Sequence, residues 1–383
     1  MKISKSLVLT LASVSALVAC RTDAFVTYEE AADPVAVSER SQTAWKNVGK
    51  LEAMWASADS LYSRSEVPSV ADVEVNRLSG WKGERVSAQF LLYTGTGADG
   101  VKCTVKDFKS PSATMSSGIA QARFVRYTIA DKGGVNCRCE KGPVNETILV
   151  PDMIDTLKVF NMEARTVRPV WVTINIPQDA EPGVYKTEVV VDAKGTGKIH
   201  MPVELEVIDQ VLPDYTEWTF HLDLWQHPSA VARAYGVELW SDAHFEAMKP
   251  LMKRLADAGQ KVVTATLNKD PWNHQCYDAY EPMIIWTKHQ DGTWSYDYSI
   301  FDKWVQFMLD LGINREINCY SMVPWNCELE YMDEAKGKVV TVKAEPGSEI
   351  FTEIWTPFLL DFKKHLQQKG WLQIANIAMD ERS

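Results

Sequence analysis

Two adjacent carboxylates, Asp380 and Glu381, follow an apolar run at residues 372–379. Such a run predicts a buried strand, and α/β barrels hold their catalytic groups at the carboxyl ends of their strands. Neighbouring side chains at a strand end point in different directions and meet different environments. One carboxyl group can therefore stay protonated as an acid while the other stays ionised. The pair indicates acid–base chemistry at this end of the chain.

The spacing of the pair favours one form of glycoside hydrolysis. Two adjacent side chains rarely flank an anomeric carbon in the way that two separate carboxylates do. They suit a substrate-assisted reaction, in which the 2-acetamido oxygen of the sugar attacks, Asp380 orients that group and Glu381 protonates the leaving oxygen. An Asp-Glu pair is common by chance, so the prediction depends on its position after an apolar strand.

Polar and aromatic residues also follow the other predicted strands of this region. The strand ends of a parallel barrel converge on one face, whatever their separation in sequence. Sugar sites combine apolar rings with a few amides and acids that fix orientation. We therefore predict a substrate-binding set that consists of His221, Asp223, Trp225, Gln226, Asn268, Trp272, Trp286 and Trp325. For each polar residue taken alone, a satisfied hydrogen bond or a solvated loop is the alternative.

No metal or other cofactor is expected. His221, Asp223 and His274 lack a tight ligand spacing such as H-E-x-x-H,. The cysteines form no C-x-x-C pair, and no histidine lies at zinc-finger spacing from them,. The net charge of −11 disfavours nucleic acid as a partner,.

The elements that must position these residues alternate along the second half of the chain. We predict strands at 218–225, 262–267, 317–323 and 372–379, with one helix between each consecutive pair, at 242–258, 301–311 and 350–369,. This alternation predicts parallel βαβ units, and these units amount to the first half of a (β/α)8 barrel. A half barrel leaves an open strand edge, so we expect the rest of the barrel beyond Ser383. A small open α/β sheet is the alternative.

The middle of the chain has the pattern of an all-β domain. Turn-forming clusters separate predicted strands at 85–93, 101–108, 122–129, 167–176, 185–192 and 198–208,. We predict a β-sandwich whose last two strands form a hairpin around Gly195. Residues 43–62 could form a short helix or a first strand. The expected domains are a signal segment at 1–20, a linker or start of the sandwich at 21–80, the sandwich at 81–212 and the partial barrel at 213–383.

The amino terminus has the features of an export signal. Lys2 and Lys5 precede an apolar run at 7–18, which is too short to cross a membrane as a lasting helix,. The residues LVAC at 17–20 resemble a bacterial lipobox. That resemblance implies cleavage before Cys20 and attachment of acyl chains to its thiol. An ordinary signal peptide with an incidental cysteine is the alternative. We expect an exported lipoprotein tethered to a bacterial membrane, in the periplasm or at the cell surface.

The segment FHLDLWQHP at 220–228 and the residues Met379, Asp380 and Glu381 resemble glycoside hydrolase family 123 and related exported bacterial proteins. The resemblance covers essentially all of the mature chain. It implies an amino-terminal β-sandwich, a carboxyl-terminal (β/α)8 barrel and a retaining exo-β-N-acetylgalactosaminidase that works through an oxazoline intermediate. It also implies that Asp380 positions the acetamido group and that Glu381 is the general acid and base. A glycan-binding lipoprotein without catalysis is the alternative function.

Overall fold

The structure is a computed structural model that describes residues 30–69, 73–131 and 147–380. The predictions for Cys20 and Glu381 lie outside these ranges. The chain divides into two compact units, with the boundary between Leu212 and Pro213. Within the described ranges, no helix is both long enough and apolar enough to cross a membrane.

The first unit is built from two β-sheets around one core. Its elements are α1 (Glu39–Ala44), β1 (Glu52–Ala56), β2 (Asn76–Lys82), β3 (Arg85–Thr94), β4 (Ala98–Val105), β5 (Phe108–Lys109), β6 (Thr114–Met115), β7 (Ala120–Asp131), β8 (Thr147–Ile154), β9 (Phe160–Met162), β10 (Thr166–Asn175), β11 (Gly183–Asp192) and β12 (Ile199–Val211). One sheet has the order β1-β3-β10-β7-β8, and the other has the order β2-β12-β11-β4-β9 with β5 and β6 beside β11. Apolar side chains of both sheets share a core, which a β-sandwich requires,.

Alternating burial sets the register of these strands. In β12 the residues Met201, Val203 and Leu205 are buried, and the residues between them are more exposed. This strand pairs antiparallel with β11, across a turn in which Gly195 has a φ of 66°. Glycine adopts that conformation without steric strain. The six strands predicted for this region are all present with shifted ends, whereas strands β2, β6, β8 and β9 were not predicted.

The second unit contains a parallel sheet with helices on one face. Its elements are α2 (Pro228–Tyr235), α3 (Asp242–Asp257), β13 (Val262–Thr266), β14 (Ile285–Lys288), β15 (Trp294–Asp297), α4 (Ser299–Asp310), β16 (Glu316–Tyr320), β17 (Glu328–Asp333), β18 (Lys338–Lys343), α5 (Glu349–Lys369) and β19 (Ala375–Ala378). Strands β13, β16 and β19 lie side by side and are parallel. Their helix-facing residues share a core with apolar residues of α3, α4 and α5.

The predicted first strand of this sheet, at 218–225, is not a strand in the structure. Its only bridge among the described residues joins Leu222 to Gln260. The side chain of Gln260 accepts a hydrogen bond from the Leu224 N–H at 2.9 Å and donates one to the Leu224 carbonyl at 3.1 Å. Because a side-chain amide makes the bonds that a strand backbone would make, the segment lies beside β13 without a regular ladder. The described sheet therefore has three parallel strands rather than the predicted four.

The loops that follow β13 and β16 contain strands that were not predicted. Strands β14 and β15 form one hairpin and β17 and β18 form another, and the two hairpins join in the order β15-β14-β17-β18. Their turns contain Gly292 and Gly337 at positive φ. The segment between β13 and α4 thus contributes two strands to a second sheet. Together, the two units make a multidomain, β-rich chain with few helices.

Candidate active site

The carboxyl ends of the three parallel strands lie at one edge of their sheet. Tyr320, the last residue of β16, is in register with Thr266 of β13 and with Ala378 of β19. Residues that follow these positions are therefore close in space although they are far apart in sequence. Contacts across this edge join Asn268, which follows β13, to Ser321, which follows β16.

Asp380 comes two residues after β19 and is partly buried. The indole Nε1 of Trp325 donates a hydrogen bond to its Oδ2 at 2.6 Å. The backbone N–H of Trp325 donates in turn to the carbonyl of Pro271 at 3.0 Å. Trp325, Pro271 and Asp380 follow β16, β13 and β19, so these two bonds connect all three strand ends. Asp380 thus lies at the carboxyl ends of the three parallel strands.

An aromatic cluster lies next to Asp380. Trp272, Tyr280 and Tyr320 are buried together, with Trp325 packed against them. Trp225 lies against this cluster, and its ring centroid is 5.0 Å from that of Trp272 and 5.1 Å from that of Tyr320. Trp225 is 44% exposed, whereas Trp272 is 2% exposed. The ring of Trp225 is therefore partly open to solvent and packs against the buried ring of Trp272.

The segment before Trp225 lies beside β13, and its alternate side chains reach side chains of β16. His221 Nδ1 lies 3.8 Å from Glu316 Oε1, and Asp223 Oδ2 accepts a hydrogen bond from Asn318 Nδ2 at 3.1 Å. The next residue in this alternation is Trp225, which meets Tyr320. Because Glu316 begins β16, His221 lies toward the amino end of the strand. Of the three predicted residues, Trp225 lies at the carboxyl end and Asp223 lies halfway along.

Asp223 and Tyr320 differ in their electrostatic surroundings from groups in water. Burial raises the pKa of Asp223, and the hydrogen bond from Asn318 only partly opposes this effect. Its Oδ1 is buried and has no hydrogen-bond partner among the described residues, which leaves an acceptor for a ligand hydroxyl. Burial raises the pKa of Tyr320 to about 12, and the charges of Asp223 and Asp380 act in the same direction. Tyr320 is therefore neutral at pH 7. Sequence reasoning missed it because it fell inside a predicted strand.

Asn268 lies at the same strand-end edge. It is buried, and its Nδ2 donates to the carbonyl of Ser321 at 2.8 Å. Its Oδ1 has no partner within the described part of the chain. The Nε1 of Trp272 and the Nδ1 of His227 are likewise buried without a hydrogen bond. Polar atoms of this kind are expected to take a partner from water or from a ligand.

Two of the predicted substrate-binding residues serve the packing of the unit instead. Gln226 is 2% exposed; its Oε1 accepts from the Thr264 N–H at 2.8 Å and its Nε2 donates to the Val262 carbonyl at 3.2 Å. Trp286 is buried, donates from Nε1 to the Leu267 carbonyl and stacks on Phe358. The structure therefore does not bring Gln226 and Trp286 to the strand-end edge as ligand-binding groups.

The arrangement provides the Asp380 carboxylate with a donor on one oxygen, the exposed indole of Trp225, and the Asp223 carboxylate, whose Oδ1 has no partner in the described ranges. Glu381, the partner predicted for Asp380, lies outside the described residues. Within the described ranges, no group of three or more His, Cys, Asp or Glu side chains could hold a metal ion. The groups that are described suit the binding of a polar ring with one apolar face, which is the chemistry of a sugar.

Two family models match the chain. The glycoside hydrolase 123 catalytic domain matches residues 225–383, and the glycoside hydrolase 123 N-terminal domain matches residues 55–193. Among solved structures, a family 123 glycoside hydrolase from Clostridium perfringens, analysed for the details of glycolipid glycan hydrolysis, is 31% identical with a TM-score of 0.81. The match covers 87% of this chain and 59% of that one. This chain thus spans less than two thirds of that protein's length.

Other solved structures resemble this chain only weakly, with low TM-scores. The periplasmic chaperone SfaE has a TM-score of 0.21 at 7% identity, with 37% of this chain and 58% of that chain covered. A protein of unknown function from Porphyromonas gingivalis W83 has a TM-score of 0.21 at 13% identity, with 42% and 49% covered. No curated protein matches the chain.

Proposed function

Because the chain belongs to glycoside hydrolase family 123, we propose that it hydrolyses the bond of terminal β-linked N-acetylgalactosamine in glycans. The reaction retains configuration and is assisted by the substrate. The acetamido oxygen attacks the anomeric carbon and forms an oxazoline, while Glu381 gives a proton to the leaving oxygen. Water then opens the oxazoline, with Glu381 acting as the base. Asp380 accepts a hydrogen bond from the acetamido N–H throughout.

The observation that carries this proposal is the position of Asp380 at the converged strand ends, bonded to Trp325 and next to the aromatic cluster. A carboxylate held from one side can present its other oxygen to a ligand amide. The exposed ring of Trp225 gives the apolar face of a sugar a surface to stack on,. The buried Oδ1 of Asp223, which no other described residue engages in a hydrogen bond, is an acceptor for a sugar hydroxyl.

We extend the proposal to substrate and location. The Clostridium perfringens relative was studied for glycolipid glycan hydrolysis, so we propose that the glycans of this chain's substrates include those on glycolipids. A lipid anchor at Cys20 would hold the enzyme at a membrane. A Cys20→Ser variant should lose incorporation of labelled palmitate and leave the membrane fraction. An ordinary signal peptide would instead give a soluble, unlabelled protein in both forms.

The test is hydrolysis of the 4-nitrophenyl β-glycosides of N-acetylgalactosamine, N-acetylglucosamine and galactose by the full chain. Glu381→Gln should lower turnover by about 10²–10⁴-fold, since it removes the proton donor. Asp380→Asn should lower turnover most for the acetamido sugars. Glu246→Gln, an exposed change on α3, is the matched control and should leave turnover unaltered. Equal rates on the sugar without an acetamide would exclude substrate assistance, and full activity of Glu381→Gln would remove Glu381 from the mechanism.

The second candidate is a glycan-binding lipoprotein that does not cleave its ligand. The exposed indole of Trp225 also favours this function, because stacking alone supports binding,. Saturable binding of the same sugars without release of nitrophenol, unaffected by Glu381→Gln, would favour it over hydrolysis.

A further inference from the structure

We propose that Trp325 is a positioning residue that holds the carboxylate of Asp380 in a single orientation. This inference rests on the substrate-assisted reaction proposed above. The sequence predicted that Trp325 binds the sugar directly. The structure instead directs its indole N–H at Asp380 Oδ2, at 2.6 Å, and this is a short bond for a nitrogen donor.

Trp325 is itself held from two sides. Its backbone N–H is bonded to the Pro271 carbonyl at 3.0 Å, and its ring packs against the buried cluster of Trp272, Tyr280 and Tyr320. The Cys327 N–H donates to the Pro324 carbonyl at 2.9 Å, which closes a turn around Trp325. The indole donor thus has a defined position before any substrate arrives.

The chemistry of an indole suits this role. Its N–H is a donor only, so it can bond an acceptor oxygen of Asp380 but cannot accept a proton from it. With Oδ2 engaged, Oδ1 is the oxygen that remains for the acetamido N–H of the substrate. Rotation of the carboxylate would break both bonds. Trp325 therefore fixes the acetamido group against the anomeric carbon through Asp380, and small errors in such alignment are costly in rate.

The exposed stacking surface is supplied by a different residue. Trp225 presents a ring that is 44% exposed, whereas Trp325 is partly buried with its polar atom bonded to Asp380. The two indoles of this edge thus have separate tasks. Trp225 contacts the ligand, and Trp325 acts on the reaction only through the carboxylate.

The kinetic test is a double-mutant cycle on the 4-nitrophenyl N-acetyl-β-glycoside. Trp325→Phe keeps the ring packing and removes the donor, so kcat should fall about 10-fold with little change in KM. Adding this change to Asp380→Asn should alter kcat by no more than about twofold, since the two act as one unit. Trp294→Phe, in the hairpin sheet, is the control and should keep wild-type kcat. Unchanged kcat in Trp325→Phe, or losses that multiply in the double variant, would overturn the inference.

A second measurement does not depend on turnover. In the full chain with nitrogen-15 tryptophan, the Trp325 indole N–H resonance is identified by its loss in Trp325→Phe. It should move upfield in Asp380→Ala while the Trp294 and Trp304 indole resonances stay in place. A Trp325 resonance that does not respond to Asp380→Ala would overturn the inference. No hydrolysis by the wild-type chain would instead refute the proposed function, and the response of this resonance would still decide the contact.

Discussion

Replacing Gln226 by Met should destabilise the second unit strongly, although methionine has nearly the same length and shape. The Gln226 amide accepts from the Thr264 N–H at 2.8 Å and donates to the carbonyls of Leu224 and Val262. Thr264 is 1% exposed, so its N–H would be buried without a partner, at a cost of about 1–3 kcal/mol,. Both carbonyls keep a bond from Gln260, so their losses are smaller. We expect a total loss of about 2–4 kcal/mol.

The assay is urea unfolding of the full chain, followed by a signal that reports on the second unit. Gln367→Met makes the same chemical change at an exposed position of α5, and it should alter the free energy of unfolding by less than about 0.5 kcal/mol. A Gln226→Met variant with the same free energy of unfolding as the Gln367→Met control would refute the reasoning. The segment at 218–225 would then be held by contacts other than side-chain amides.

Three further changes test other parts of the chain. Trp286→Ala should lower the free energy of unfolding in urea by about 3–5 kcal/mol because it leaves a cavity in the core. It should leave KM of the folded fraction unaltered, and a raised KM would indicate that Trp286 contacts the substrate. Glu30→Gln should cost about 3–5 kcal/mol because it breaks a buried pair with Arg168,; Asp257→Asn, at an exposed pair, should cost under about 1 kcal/mol. The pKa of Asp223 is raised by burial, so its ionisation lowers stability as pH rises through the interval between its unfolded and folded pKa values. Asp223→Asn should therefore raise Tm when Tm is measured at a pH above that interval, and should leave Tm unaltered at a pH below it. An equal rise in Tm on both sides of the interval would contradict this assignment.

Helices α3, α4 and α5 could be predicted from sequence because their signals are local, whereas the short helix α2 was not predicted. Ser241 caps α3 through a hydrogen bond from the His244 N–H, and Gly259 follows its end with a φ of 86°. The predicted range of 242–258 differs by one residue from the observed helix. The family was also predictable and is confirmed, because its motif residues stand next to one another in the chain.

The parts that could not be predicted depend on distant partners. Whether 218–225 forms a strand is decided by the side chain of Gln260, which no local pattern reveals. Indole rings look alike in sequence, yet Trp286 stacks on Phe358 of α5 and is buried, whereas Trp225 is 44% exposed. The position of Asp380 was predictable because it follows its strand directly. The bond from Trp325 was not, because it requires the folded loops after two other strands.

His221, Asp223 and Trp225 alternate along their segment and direct their side chains to those of β16, which restricts how this segment can change in length. An insertion that shifts the segment by one residue would exchange its two sides, so Leu222 and Leu224 would face Glu316 and Asn318 in place of the polar side chains. Insertion of two residues would preserve which side faces β16. Engineered variants should therefore tolerate length changes here only in steps of two, whereas exposed turns such as that at Gly337 carry no such constraint.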